Sequence, residues 1–143
     1  MGRKFLAVIT AMITAFGIIW VSYMISTMMA PFYPKNLEYM GSGELQAYWA
    51  QVPASTYGVV LAGYIIAAFV AGFIATKMGR RWSEGTSLAF VCGLLLTAWE
   101  VASVFFWAQP WWFIIASVVL FIPMALVGYK FAHRLGHTHV MTA

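Results

Sequence analysis

Four long apolar runs dominate this sequence and constrain its fold more than any other feature. They cover about residues 5–30, 54–76, 85–107 and 111–132. An α-helix rises about 1.5 Å per residue, so about 20 apolar residues cross a hydrocarbon core about 30 Å thick. Because the runs account for most of the chain, the sequence predicts an all-α polytopic membrane protein. We expect one membrane domain over residues 1–143, folded as a bundle of four transmembrane helices.

The composition is typical of a membrane protein and leaves little material for a soluble domain. Of the 143 residues, 63% are hydrophobic and 8% are charged, and no Asp occurs. A soluble domain has about 25% charged residues. The first run is also much longer than the apolar core of a signal peptide, which has about 7–15 residues. We therefore expect it to remain in the protein as a transmembrane helix.

The distribution of basic residues predicts the orientation of the helices. In a four-span protein both termini and the second connection lie on the same side of the membrane. Lys and Arg are enriched on the cytoplasmic side, and here only Lys35 falls on the opposite side. We therefore expect the protein in a bacterial inner membrane with both termini on the cytoplasmic side. We interpret the net charge of +4 as a sign of this topology and not of nucleic-acid binding. The residues on the predicted cytoplasmic side are Arg3, Lys4, Lys77, Arg80, Arg81, Lys130 and Arg134.

The first connection contains a predicted short helix. Pro31 and Pro34 end the first transmembrane helix, because proline lacks the amide hydrogen that a helical hydrogen bond needs. The segment 43–52 then reads GELQAYWAQV and can form two helical turns before Pro53. Tyr and Trp are enriched at membrane interfaces. We expect this segment to lie flat at the outer interface, over the mouth of the bundle.

Small residues recur on two faces of the second run. In lipid, helices associate through close van der Waals packing, which small side chains permit. We therefore expect the second helix either to occupy the centre of the bundle or to contact another subunit through one of these faces. The predicted helix-packing residues are Gly63, Ala67 and Ala71 on one face, Gly72 on the other, and Gly93 on the third helix.

One carboxylic acid, Glu100, stands inside the third run. At about 100° per residue, it shares a narrow helix face with mostly small and polar residues, which predicts that its side chain points into the protein. The other members of this face are Thr86, Ala89, Gly93, Thr97, Val104 and Trp107.

The predicted surroundings of Glu100 are neutral. The outer halves of the four runs contain no Lys or Arg, and burial without a cationic partner favours the uncharged acid. We therefore expect Glu100 to be protonated and to hydrogen-bond to a neutral donor on the first or second helix. The donors at a matching depth are Trp20, Ser22, Tyr23, Ser26, Tyr57 and Tyr64. The predicted polar site, which could hold a proton or a substrate, comprises Glu100, Thr97, Tyr23, Ser26 and Tyr64.

No catalytic motif supports an enzymatic function. The chain lacks a G-x-S-x-G elbow, a glycine-rich phosphate loop and an H-E-x-x-H zinc motif, so we expect neither an enzyme nor a cofactor. His133 and His137 could share a metal if the last helix continued through Gly136, but glycine often ends a helix. We expect the helix to end there and expect no metal site. The lone Cys92 is expected to be a small buried residue.

Three segments resemble parts of small bacterial four-helix membrane proteins of uncharacterised function. These are ELQAYWAQVP before the second run, AAFVAGFIA within it and QPWWF at the start of the fourth. The resemblance implies the four-span topology and no activity, substrate or partner. The single intramembrane Glu also resembles that of the small multidrug resistance exporters. Their acid lies in the first helix, however, so their mechanism is not carried over to Glu100.

Two functions fit these features, and a third is weaker. The first is an accessory or scaffold subunit, or a self-associating bundle, in which Glu100 is a hydrogen-bonding clamp between helices. The second is a small oligomeric transporter or channel in which Glu100 exchanges a proton or a cation. The third is a lipid- or quinone-handling protein, indicated only by the seven Trp. The expected partners are membrane lipids and either copies of the chain or other membrane subunits.

Overall fold

All regular structure in the described residues is helical. The computed structural model describes residues 2–29, 41–79, 82–105 and 109–141. Four of the helices in these ranges are long and apolar enough to cross a membrane, which confirms the predicted all-α fold with four long apolar helices. The helices are α1 (Gly2–Met29), α2 (Ser42–Gln51), α3 (Ala54–Met78), α4 (Trp82–Ser103) and α5 (Trp111–Met141).

Proline residues mark the starts of α3 and α5. Pro53 and Pro110 precede the first turn, where a missing amide hydrogen costs nothing, and their carbonyls accept hydrogen bonds from Thr56 (3.0 Å) and Phe113 (3.1 Å). The far end of α5 differs from our expectation. The helix continues through Gly136 to Met141, because a glycine within a helix costs only about 1 kcal/mol relative to alanine. The prediction that Gly136 ends the helix was wrong.

Helix α3 lies at the centre of the bundle. It packs against α1, α4 and α5, and α4 also packs against α5. Consecutive long helices run antiparallel, whereas α3 and α5 are parallel. Both small-residue faces of α3 are therefore occupied within the chain, which decides between the two placements that the sequence left open. The fully buried alanines of α3 are Ala67, Ala68, Ala71 and Ala75.

Glycines allow the helix backbones to approach closely. A Cβ atom at Gly72 of α3 would collide with the backbone of Ala125 on α5, and one at Gly63 would collide with the Ser22 side chain on α1. On α4, a Cβ at Gly93 would lie 3.1 Å from the Cα of Ile122. All three glycines are helix-packing residues in the sequence prediction, and each lies against a neighbouring helix.

The surface of the bundle is apolar. Large side chains such as Trp20, Phe105 and Val119 are 65%, 86% and 62% exposed, whereas much of the interior consists of alanine and glycine. In water such a surface would drive aggregation, and in a membrane it contacts lipid. At the end of the bundle opposite α2, the Arg3 Nε donates a 3.3 Å hydrogen bond to the Met78 carbonyl, which places two predicted cytoplasmic ends together.

Candidate functional site

Glu100 is buried at the contact between α4, α5 and α3. Its side chain is only 1% exposed, as the sequence predicted. The Ser117 hydroxyl on α5 lies 3.1 Å from Glu100 Oε1. The Tyr64 hydroxyl on α3 lies near the same carboxyl group. Two neighbouring helices therefore supply hydroxyl partners to one acid.

The hydrogen bonds continue from Tyr64 toward the α2 end of the bundle. The hydroxyl oxygens of Tyr64 and Tyr23 are 2.6 Å apart, which links α3 to α1. The Gln109 Nε2 group, just before α5, donates to the Tyr23 hydroxyl over 3.4 Å. The network of Gln109, Tyr23, Tyr64, Glu100 and Ser117 thus connects all four long apolar helices or their ends.

Aromatic packing fixes the position of Tyr64 in this network. Its ring lies 5.6 Å from the ring of Phe113 and 5.2 Å from that of Phe121, measured between centroids. The Tyr23 ring meets it edge-on at 6.2 Å. Such aromatic pairs are favourable at centroid separations of about 4.5–7 Å. The hydroxyl of Tyr64 is therefore held between Tyr23 and Glu100 by the rings around it.

A protonated Glu100 allows the Ser117 hydroxyl to form both of its hydrogen bonds. The Ser117 hydroxyl lies 2.9 Å from the Ile114 carbonyl oxygen as well as 3.1 Å from Glu100 Oε1. A hydroxyl has one proton to donate, and a carbonyl can only accept. When Ser117 donates to Ile114, its oxygen can accept a proton from the Glu100 acid. Protonation of Glu100 then satisfies both contacts, whereas an ionised Glu100 competes with Ile114 for one proton.

A cavity of about 30 Å³ lies beside this network at the α2 end. A water molecule needs about 10–15 Å³ of such space, so the cavity has room for about two. Tyr23 and Gln109 form part of its wall, together with Tyr48 and Val52 from the region of α2. The Oε1 atom of Gln109 is buried and accepts no hydrogen bond from the residues that the structure describes.

The predicted polar residues take three different positions. Tyr23, Tyr64 and Glu100 lie together in the network. Ser26 is buried and lines the cavity. Thr97 instead donates a 2.9 Å hydrogen bond to the Gly93 carbonyl of its own helix, so its hydroxyl is used within α4.

The predicted inward face of α4 is only partly correct. Ala89 and Gly93 are buried with Glu100, but Thr86 and Val104 are exposed, and Trp107 lies outside the described residues. Because α4 packs against α3 and α5 and also contacts α1, its buried surface is wider than one narrow stripe. Leu88, Cys92 and Leu96 also belong to it, which confirms the prediction that Cys92 is buried.

Sequence reasoning missed Ser117 and Gln109 and proposed several donors that lie elsewhere. Ser22 donates to the Ile18 carbonyl of its own helix, and Ser26 and Tyr57 line the cavity. Trp20 is 65% exposed and points away from the interior. Ser117 shares a helix face with Phe113 and Phe121, which lie four residues before and four residues after it. This face is buried. That spacing was a signal for an inward hydroxyl at the depth of Glu100.

The site contains an acid and hydroxyl groups. Within the parts of the chain that the structure describes, no three His, Cys, Asp or Glu side chains lie close enough to hold a metal ion. The groups present can hold, donate and relay a proton. No protein-family model, curated protein or solved structure matches this chain.

Proposed function

We propose that the chain is a non-enzymatic integral membrane protein that acts as an accessory or scaffold subunit, with Glu100 as a polar clamp. One observation carries this proposal: the hydrogen bonds of Glu100 and Tyr64 reach α1, α3, α4 and α5 at the same depth. A protonated acid in lipid stabilises a bundle through such bonds without an unpaired charge. The adjacent cavity has room for water and not for a solute of substrate size.

The surface available to a partner follows from the packing. The small faces of α3 are used within the chain, so another subunit or a second copy binds the exposed apolar surface instead. Phe90, Leu94 and Trp99 on α4 are 43%, 45% and 55% exposed. In the proposed arrangement, lipid and partner share this surface in a bacterial inner membrane.

We propose that the termini are cytoplasmic and that α2 lies at the outer interface. The described basic residues Arg3, Lys77 and Arg134 belong to the end of the bundle opposite α2, and basic residues favour the cytoplasmic side. Helix α2 contributes Tyr48 to the cavity wall, which supports a position over one end of the bundle.

The experiment that tests the scaffold function is native mass spectrometry after extraction in mild detergent, combined with crosslinking in the membrane. We expect a defined oligomer or a stoichiometric membrane partner. A second four-span protein, expressed and extracted identically, controls for contacts made by chance. A chain that is monomeric and without a partner in both experiments would overturn the proposal.

A second candidate is a small transporter that uses Glu100, and one observation favours it. The buried acid is connected through hydroxyl groups to a cavity at one end of the bundle. Proteoliposomes under a pH gradient distinguish this function from the clamp. Proton flux by the natural chain that Glu100→Gln abolishes would support transport, whereas equal flux with both chains would exclude it.

A further inference from the structure

We propose that the cavity at the α2 end binds water, and that the proton of Glu100 exchanges with this water through the hydroxyl groups of Tyr23 and Tyr64. This goes beyond the scaffold function, which needs only the hydrogen bonds and no exchange. It concerns where a proton binds and how it enters, and it rests on three contacts and one cavity.

The first step lies between the cavity and Tyr23. Tyr23 lines the cavity, so water there can donate to its hydroxyl oxygen. Gln109 also lines the cavity, and its buried Oε1 accepts no hydrogen bond from the described residues. A buried polar oxygen is stabilised by a donor, and water in the cavity supplies one. The wall therefore favours water beside Tyr23.

The second step lies between Tyr23 and Glu100. Each hydroxyl can accept one proton and donate another. Either hydroxyl can donate across the 2.6 Å contact between Tyr23 and Tyr64, and the Tyr64 hydroxyl lies near the Glu100 carboxyl group. The three groups form a continuous path from cavity water to the acid.

The exchange conserves every atom. The exchange occurs in three pairwise steps: D₂O and Tyr23–OH give HOD and Tyr23–OD, Tyr23–OD and Tyr64–OH give Tyr23–OH and Tyr64–OD, and Tyr64–OD and Glu–COOH give Tyr64–OH and Glu–COOD. In each step one hydrogen moves in each direction between two neighbouring oxygens. The net change is Glu–COOH and D₂O to Glu–COOD and HOD. No other reactant is required.

Infrared spectroscopy in lipid bilayers tests this path. A protonated carboxylic acid has a C=O stretching band that shifts on deuteration, and Glu100→Gln identifies the band of Glu100 by its loss. After transfer to D₂O we expect Tyr23→Phe and Tyr64→Phe each to slow the shift by about tenfold or more. Each variant removes a hydroxyl group from the path, and the loss of one hydrogen bond raises the activation barrier enough to change the rate by that factor. Tyr129→Phe is the matched control, because Tyr129 lies beside Gly85 and His133 instead.

Each result decides the proposal. Slower exchange in both Tyr variants and an unchanged rate in Tyr129→Phe supports it. The proposal would be overturned by equal rates in all chains or by slower exchange in Tyr64→Phe alone. It would also be overturned if no acid band were assigned to Glu100. Tyr23 is half-buried and retains its ring in Tyr23→Phe, so this variant is informative even when Tyr64→Phe fails to fold.

A second arm tests the cavity itself. Thr27 lines the cavity and is exposed, so Thr27→Cys can be modified with a bulky maleimide. The modified chain should exchange about tenfold more slowly than the unmodified Thr27→Cys chain. An unchanged rate would place the entry of the proton elsewhere and overturn the assignment of the cavity. Failure of either arm leaves the scaffold function standing, because that function depends on assembly and not on exchange.

Discussion

The Ser117 hydroxyl of α5 and the Glu100 carboxyl of α4 are 3.1 Å apart and fully buried. This contact joins two antiparallel helices through an acid whose side chain lies in the bundle interior. It therefore has a measurable effect on stability as well as on position. Interhelical hydrogen bonds in membranes are worth about 0.6 kcal/mol on average and up to about 1.7 kcal/mol.

We expect Ser117→Ala to lower the free energy of unfolding by about 0.6–1.7 kcal/mol, because Glu100 keeps Tyr64 but loses its partner on α5. Titration with a denaturing detergent in mixed micelles measures this difference. Ser87→Ala is the matched control, because Ser87 lies on α4 and is exposed. A stability equal to that of the natural chain would show that the contact contributes nothing.

Glu100→Gln and Glu100→Leu separate the neutral acid from its charged form. Glutamine is uncharged and can both accept and donate, so we expect its stability to lie within about 1 kcal/mol of the natural chain. Leucine removes every hydrogen bond and leaves Ser117 and Tyr64 without this partner, so we expect a loss of about 1–3 kcal/mol. Equal destabilisation by both replacements in the same titration would indicate that Glu100 is ionised in the folded protein.

The close approach of α3 and α5 predicts a large effect of one methyl group. In Gly72→Ala the new Cβ would collide with the Ala125 backbone, which cannot rotate away as a side chain can. We expect a loss of about 1–3 kcal/mol in unfolding free energy, as in other overpacked cores.

The same helix supplies the control for Gly72. A Cβ at Gly58 meets no atom within 4 Å, and alanine favours the helix by about 1 kcal/mol over glycine. Gly58→Ala should therefore be neutral or stabilising in the same unfolding assay. If both alanine variants behave alike, the distance between α3 and α5 is not set by Gly72.

Much of this fold could be predicted because its determinants are local in sequence. Apolar length alone gives the four long helices, and helical periodicity places Glu100 inside. The small residues of α3 indicate close packing, but they do not say whether the neighbour belongs to the same chain. That answer needs the arrangement in space, where Gly63 meets α1 and Gly72 meets α5.

The partners of Glu100 were harder to predict for the same reason. Sequence gives the depth of a residue along its helix, and Tyr23, Tyr64 and Ser117 all have a suitable depth. It does not give the order of helices around the bundle. Ser117 lies on α5, which packs against α4, and the sequence does not indicate that these two helices are neighbours. Thr97 is on the same predicted helix face as Glu100, but its hydroxyl donates to the Gly93 carbonyl within α4.

The orientation of the bundle gives a final prediction. Gly43 lies in the first turn of α2 and Lys77 in the last turn of α3, and both are exposed, at opposite ends of the structure. In a Cys92→Ala background, we expect a membrane-impermeant maleimide to label Gly43→Cys in intact cells and Lys77→Cys only after permeabilisation. This follows from the enrichment of basic residues on the cytoplasmic side. Labelling in the reverse order would place the termini outside, and labelling of both positions in intact cells would show that the two ends are not separated by a membrane.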